Sequence, residues 1–126
     1  MNSSLPYFYK NYYLKLKGDF IMVTLIDITG KIKNEPKFIK LGDDTYKVDD
    51  SKNTVTKVMA LFNEGGSEME NMEKVLELLL GKKAKKAIDD MNLSMEDYQV
   101  PFIAVMACVT GKTYEQAEAD FRNTGE

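Results

Sequence analysis

The apolar positions change period once along the chain, and that change divides it into a β part and a helical part. From Met22 the stretch "MVTLIDITG" is apolar and β-rich up to Gly30, which reads as a strand, and Lys31 to Pro36 is a polar connector. "KFIKL" and "TYKVD" alternate apolar and polar residues on either side of Gly42-Asp43-Asp44, the signature of a hairpin with a short glycine-containing loop. In that hairpin Ile39 and Leu41 share one face, and Tyr46 and Val48 supply the facing pair across the turn. With the first strand pairing beside them, the three make a small antiparallel meander.

After Asp50 the spacing becomes helical. Val55, Val58, Met59 and Phe62 fall at i, i+3, i+4 and i+7, one apolar stripe with Asp50 or Ser51 as its cap. "NEGGS" breaks that helix. Ser67 with Glu70 forms a capping box for the next, which carries Met72, Val75, Leu76 and Leu79 and closes at Gly81. Ala84, Ala87, Ile88 and Met91 make a short third stripe. Ser94 with Asp97 starts a fourth helix through Tyr98, Phe102, Val105, Met106 and Val109. Pro101 lacks an amide proton, so that helix either kinks there or begins a second segment. Gly111 ends the run, and Thr113 with Gln116 caps a last helix bearing Tyr114, Ala117 and Phe121. The expected fold is α+β: a small antiparallel β-meander or hairpin followed by about five α-helices.

Composition changes the picture at the N-terminus. Tyr7, Phe8, Tyr9, Tyr12, Tyr13 and Phe20 are 6 of the chain's 13 Phe and Tyr residues, crowded ahead of Met22. Phe, Tyr, Lys, Asn and Ile are specified by A/T-rich codons. Lys17-Gly18-Asp19 can be encoded by a purine-rich AAAGGAGAT, the shape of a bacterial ribosome-binding site, with Phe20-Ile21 as an A/T-rich spacer before a start codon at Met22. Residues 1–21 are therefore expected to be a non-native leader, upstream DNA read as peptide, and to pack poorly on the rest; the alternative is a genuine amphipathic strand or a flexible, disordered arm. A secretory signal does not fit, because a continuous apolar core and a small-residue cleavage site are both missing. Residues 22–126 then form a single domain, with the β-meander over 22–50 and helices over 51–126.

Charge and absences narrow the function classes. The chain has 17 Lys and Arg against 20 Asp and Glu; without the leader these become 14 and 19, and the net charge moves from −3 to −5. An acidic chain is a poor general binder of nucleic acid. No run approaches the roughly 18 to 20 apolar residues that span a bilayer, so no membrane partner is expected and the protein reads as cytosolic. Histidine is absent, which removes the most frequent general base and the usual imidazole metal ligand. Cys108 is the single cysteine; in "FIAVMACV" it reads as a buried small hydrophobe, with no base to activate it.

The remaining polar clusters have plain structural readings. Glu70, Glu73 and Glu77 share one side of the second helix, a solvated face opposite the apolar stripe. "GDDTYKVDD" places Tyr46 and Val48 where a calcium loop needs ligands, so it is a turn with acidic edges. Lys82, Lys83, Lys85 and Lys86 in "GKKAKK" lack the glycine spacing of a phosphate-binding loop and read as a solvated face or a contact for an acidic partner. "AIDDMNLSMEDYQVPFIAVMA" has the cadence of a helix-turn-helix, which makes a small DNA-associated regulator the alternative function. Its would-be recognition helix, however, begins with Glu96 and Asp97 where phosphate and base contacts want basic or amide side chains. No enzyme, cofactor or metal site is expected. Eight methionines and several apolar stripes suit adaptable protein contacts.

The order of elements carries a resemblance. A hairpin ending in "YKVDDSKNTV", a helix running into "LLLGKKAKKAIDDMNLSMEDY", then a long helix and a terminal "TGKTYEQAEADF" resemble, over about Met22 to Phe121, the tail assembly chaperones of long-tailed phages and prophages of Gram-positive bacteria. The family is recognised by this pattern and has no catalytic signature. What the resemblance implies is a non-enzymatic protein of the host bacterial cytoplasm that binds the aggregation-prone tape measure protein. It keeps that protein soluble until tail tube protein replaces it. Self-association is implied as well, and so is a longer version made by frameshifting, of which a chain ending in "FRNTGE" would be the short form. Such work needs apolar patches rimmed by charge. Tyr98, Phe102, Tyr114 and Phe121, with Lys82, Lys83, Lys85 and Lys86, are the partner-binding candidates.

Overall fold

The structure, a computed structural model, describes residues 9–124, and the boundary between two compact units falls between Glu35 and Pro36. Tyr7 and Phe8 of the leader, and the final Gly125 and Glu126, lie outside the described residues.

In the first unit β1 (Tyr9–Leu16) and β2 (Asp19–Ile26) form an antiparallel hairpin, in register from Tyr9↔Ile26 to Leu16↔Asp19. The two-residue link, Lys17-Gly18, has positive φ at both positions (53° and 88°), the condition under which a tight turn matches strand twist. A short 3-10 turn, Thr29–Lys31, follows. The expected three-stranded meander is overturned: β2 pairs with β1, and the second hairpin is a separate two-stranded sheet. A two-residue turn closes β1 on β2 at small entropic cost, whereas reaching the second hairpin means closing a loop across the polar connector. The strand also stops at Ile26, short of Gly30.

Met22 sits inside β2, opposite Tyr13. Residues ahead of it supply all of β1 and the first positions of β2, and the hydrophobic core, as far as the described side chains define it, is made of second-unit residues. A chain beginning at Met22 is accordingly expected to unfold within about 0.5 kcal/mol of the full chain. Chemical denaturation followed by helical circular dichroism checks this, and a loss above about 2 kcal/mol would assign the leader a structural role.

The second unit is the α+β fold. β3 (Lys37–Leu41) and β4 (Asp44–Val48) pair as expected, Ile39 opposite Tyr46. Five helices follow: α1 (Lys52–Glu64), α2 (Glu68–Leu80), α3 (Lys82–Asp90), α4 (Met95–Thr110) and α5 (Tyr114–Thr124). Four of the five starts, all but that of α3, have a side-chain cap. Ser51, Ser67 and Ser94 accept hydrogen bonds from the backbone N–H groups of Thr54 (3.3 Å), Glu70 (3.4 Å) and Asp97 (3.1 Å), satisfying donors that a helix leaves orphaned. Thr113 and Gln116 make a reciprocal capping box, with bonds of 3.1 and 3.0 Å. At the far end of α4, Gly111 takes the left-handed conformation (φ 71°, ψ 27°) and donates its N–H to Ala107, a conformation that costs glycine no Cβ clash.

The core gathers Val48, Val58, Val75, Leu76, Leu79, Ile88, Ile103 and Val105, all with less than 2 % of their surface exposed. α4 is its centre and packs against α2, α5, β3 and β4. That helix is apolar around most of its circumference, as a helix enclosed on several sides must be. It runs unbroken through buried Pro101, so no second segment begins there. Asp49 donates its backbone N–H to Leu79 at 2.8 Å, tying the end of the hairpin to the end of α2. Met91, expected on the α3 stripe, lies just past the end of the helix and is exposed. Among the described residues, no helix is long and apolar enough to cross a membrane.

Candidate functional site

The fold leaves one apolar stripe incompletely covered. On α1, Val58 is buried, but Met59 and Phe62 remain 57 % and 43 % exposed. The principal neighbour of α1 is α2, so a stripe wide enough for two contacts has one of them filled. Phe62 opens a chain of rings: it meets Phe102 edge-on at 6.5 Å between centroids (80°), and Phe102 meets Phe121 at 5.7 Å (61°). Both are the edge-to-face geometry that the aromatic quadrupole favours.

These rings line an open groove of about 880 Å³ between the end of α1, the start of α2, α4 and α5. Met72, Met106 and Ala117 continue its apolar surface, and Glu68, Gln99, Lys112, Asp120 and Arg122 rim it. The rim charges are largely matched within the chain. Lys112 pairs with Asp120, and Arg122 with Glu118 at 3.2 Å, one helical turn away. Such surface pairs add little stability, but they leave the rim polar without a strong field. Chemically the groove offers aromatic and thioether contact to an apolar side chain from another protein, with methionines able to adapt to its shape.

Of the predicted partner-binding residues, the structure brings Phe102 and Phe121 together in this groove. Phe102 is a buried anchor of its floor, 5 % exposed, and Phe121 is partly buried. Tyr114 is partly buried on the other side of α5's start, beside Lys37, Phe38 and Cys108. Tyr98 is buried at the α3–α4 junction, where its hydroxyl donates to Asp89 Oδ1 at 3.1 Å. Lys85 donates to the other oxygen of that carboxylate at 2.5 Å, making a polar clamp between the two helices.

Burial, reinforced by the Asp89 hydrogen bond, pushes the Tyr98 phenol above its ordinary value. A raised acid is neutral in the folded state, so its contribution is complete below the unfolded phenol value and is lost as pH climbs through the folded one. Tyr98→Phe should cost about 1 kcal/mol at neutral pH and flatten the alkaline decline in stability. Denaturation curves at pH 7 and above pH 10 check both parts.

The lysines form no patch with the aromatic residues. Lys82, Lys83 and Lys86 are exposed on α3, and Lys85 is largely covered. Lys85 and Lys86 pair with Asp89 and Asp90 at i,i+4 distances of 2.5 and 2.8 Å. Two of the four charges are thus spent within the helix. The order of charge on α3, basic first and acidic last, opposes its macrodipole and costs the helix a few tenths of a kcal/mol per residue.

Cys108 is half-buried rather than enclosed, and burial pushes its thiol up, away from the thiolate a nucleophile needs. Its carbonyl accepts a 2.8 Å hydrogen bond from Lys37, which joins β3 to α4. Glu70, Glu73 and Glu77 lie exposed along α2, and no cluster of three metal-ligating side chains occurs among the described residues.

Phe62, Met72 and Met106 are site residues that periodicity assigned to the interior. The signal was available for Phe62: it lies two residues before the "EGG" break, at a helix end where fewer neighbours can cover it. Comparison with protein-family models, with curated proteins and with solved structures found no match to this chain.

Proposed function

We propose that this chain is a tail assembly chaperone of a long-tailed phage or prophage of a Gram-positive bacterium. It works in the host cytoplasm, without catalysis, by holding apolar segments of the tape measure protein until tail tube protein displaces it. The observation that carries this reading is the uncovered aromatic groove at Phe62, Phe102 and Phe121, set on a hairpin followed by five helices, the order of elements on which the resemblance rests. A holdase needs apolar surface that is accessible yet does not collapse the protein on itself. A half-exposed ring backed by one buried and one partly buried ring, inside an ion-paired rim, meets that need.

The charge distribution of α3 and α4 disfavours the DNA-regulator alternative. Lys85 and Lys86 are paired within α3, and the first turn of α4 presents Glu96 and Asp97, which would repel phosphate. Co-expression of the chain with a phage tape measure protein, followed by affinity capture, tests the choice. A salt-tolerant complex supports the chaperone. No complex, together with salt-sensitive retention of duplex DNA, supports the regulator.

A further inference from the structure

The groove at Phe62, Phe102 and Phe121 is walled by helices. Its lining residues come from α1, α2, α4, α5 and the links between them, and none belongs to a strand. A helix bonds its backbone N–H and C=O groups to itself, so these walls offer no strand edge to an extended chain. In the links, the Gly65 carbonyl accepts from the Asn71 side-chain amide at 3.0 Å, and the Lys112 N–H donates to Ala107 at 3.0 Å. An extended segment laid on this apolar floor would strip water from its own backbone and gain no ladder in return. A helical segment arrives with those groups satisfied and meets the groove through side chains. The step between rings fits the same occupant: the centroids lie 6.5 and 5.7 Å apart, close to the pitch of about 5.4 Å for one helical turn.

Charge sets the occupant's polar side. Both cations on the rim are already paired, Lys112 with Asp120 and Arg122 with Glu118. Across the Gly65-Gly66 link, which also lines the groove, Glu64 ends α1 and Glu68 begins α2. Both are exposed, neither is ion-paired among the described residues, and the last turn of α1 holds no basic residue. The unmatched charge beside the rings is therefore negative.

We infer that the groove takes an amphipathic α-helix of its partner, with apolar side chains at i, i+4 and i+7 and with lysine or arginine on the flank that meets Glu64 and Glu68. The inference rests on the chaperone reading and sharpens it: what is held is a helical, basic-flanked stretch of the tape measure protein. Exposed ion pairs add little affinity, so the acids select sequence and orientation while the rings supply the attraction.

Three fluorescein-labelled synthetic peptides of about 18 residues, long enough to sustain a helix, test this by fluorescence anisotropy against the full chain. The first carries leucine at i, i+4 and i+7 with lysine flanks, and it should bind below about 100 μM. The second has glutamate flanks and should bind at least about fivefold more weakly at low salt, a difference that should fade near 1 M salt, where the screening length is about 3 Å. The third keeps the lysines, moves the leucines to alternate positions and adds a central proline, which breaks a helix; it should not bind. Glu64→Lys/Glu68→Lys should reverse the charge preference with helical circular dichroism unchanged, and Phe62→Asp should abolish binding of the first peptide. Equal binding of the first and third peptides, a charge preference that the double variant leaves unreversed, or no binding of the first peptide overturns the inference. So does peptide binding that weakens as protein concentration rises, which would put a second copy in the groove. If a tape measure protein is captured and the first peptide is not, the chaperone reading survives and this inference falls. If the first peptide binds through Phe62 and no tape measure protein is captured, the reading falls and the helix-selective groove stands.

Discussion

Phe102→Ala lowers the unfolding free energy of the helical unit by about 3–5 kcal/mol, the cost of emptying a buried phenylalanine site that cannot collapse. Phe102 is 5 % exposed, lies midway along α4, and touches rings on both sides. Its removal takes away two edge-to-face contacts, each worth about 0.5–1.5 kcal/mol beyond the area they bury, and leaves Phe62 and Phe121 with nothing between them. Domains of this size have only about 5–15 kcal/mol of stability, so the variant should melt roughly 12–40 °C lower if each kcal/mol is worth about 4–8 °C. Urea denaturation followed by circular dichroism measures it. A loss under about 1 kcal/mol would show that Phe102 is a surface contact rather than the floor of the groove.

Phe62→Asp should have the opposite profile, with large consequences for binding and small ones for folding. The ring is 43 % exposed and belongs to a helix that already leaves Met59 uncovered, so its replacement should cost the fold about 1 kcal/mol. In a bound complex the same position would place a carboxylate against apolar surface, and loss of an aromatic hot spot typically removes about 2–4 kcal/mol. That corresponds to roughly 30- to 1000-fold weaker association. The pair of variants therefore separates the two roles that the aromatic chain combines: Phe102 supports the groove, and Phe62 presents it.

The helical grammar of the chain was legible because capping chemistry is local. Ser51, Ser67, Ser94 and Thr113 act over three residues, and each marks a helix start that the structure contains. The second hairpin was legible for the same reason, its alternation and turn lying within twelve residues. Two features needed three dimensions. One is the partner of β2: "MVTLI" announces a strand but says nothing of its neighbour, and the tight Lys17-Gly18 turn was hidden inside a segment set aside as leader. The other is which apolar residues stay uncovered. Tyr98 and Phe62 look alike as members of helical stripes. One is enclosed between α3 and α4 while the other faces the groove, because α1 has fewer neighbours than α4.

The most direct measurement is the fraction of the tape measure protein that remains in the soluble lysate when it is co-expressed with this chain, compared across the wild type, Phe62→Asp and an empty vector. With wild type, most of the tape measure protein should stay soluble and be captured with the chain; with Phe62→Asp, which remains folded by circular dichroism, it should pellet as it does with the empty vector. Equal solubility with the wild type and the empty vector would contradict the chaperone reading. Equal rescue by Phe62→Asp and the wild type would show that the tape measure protein is held somewhere other than this groove.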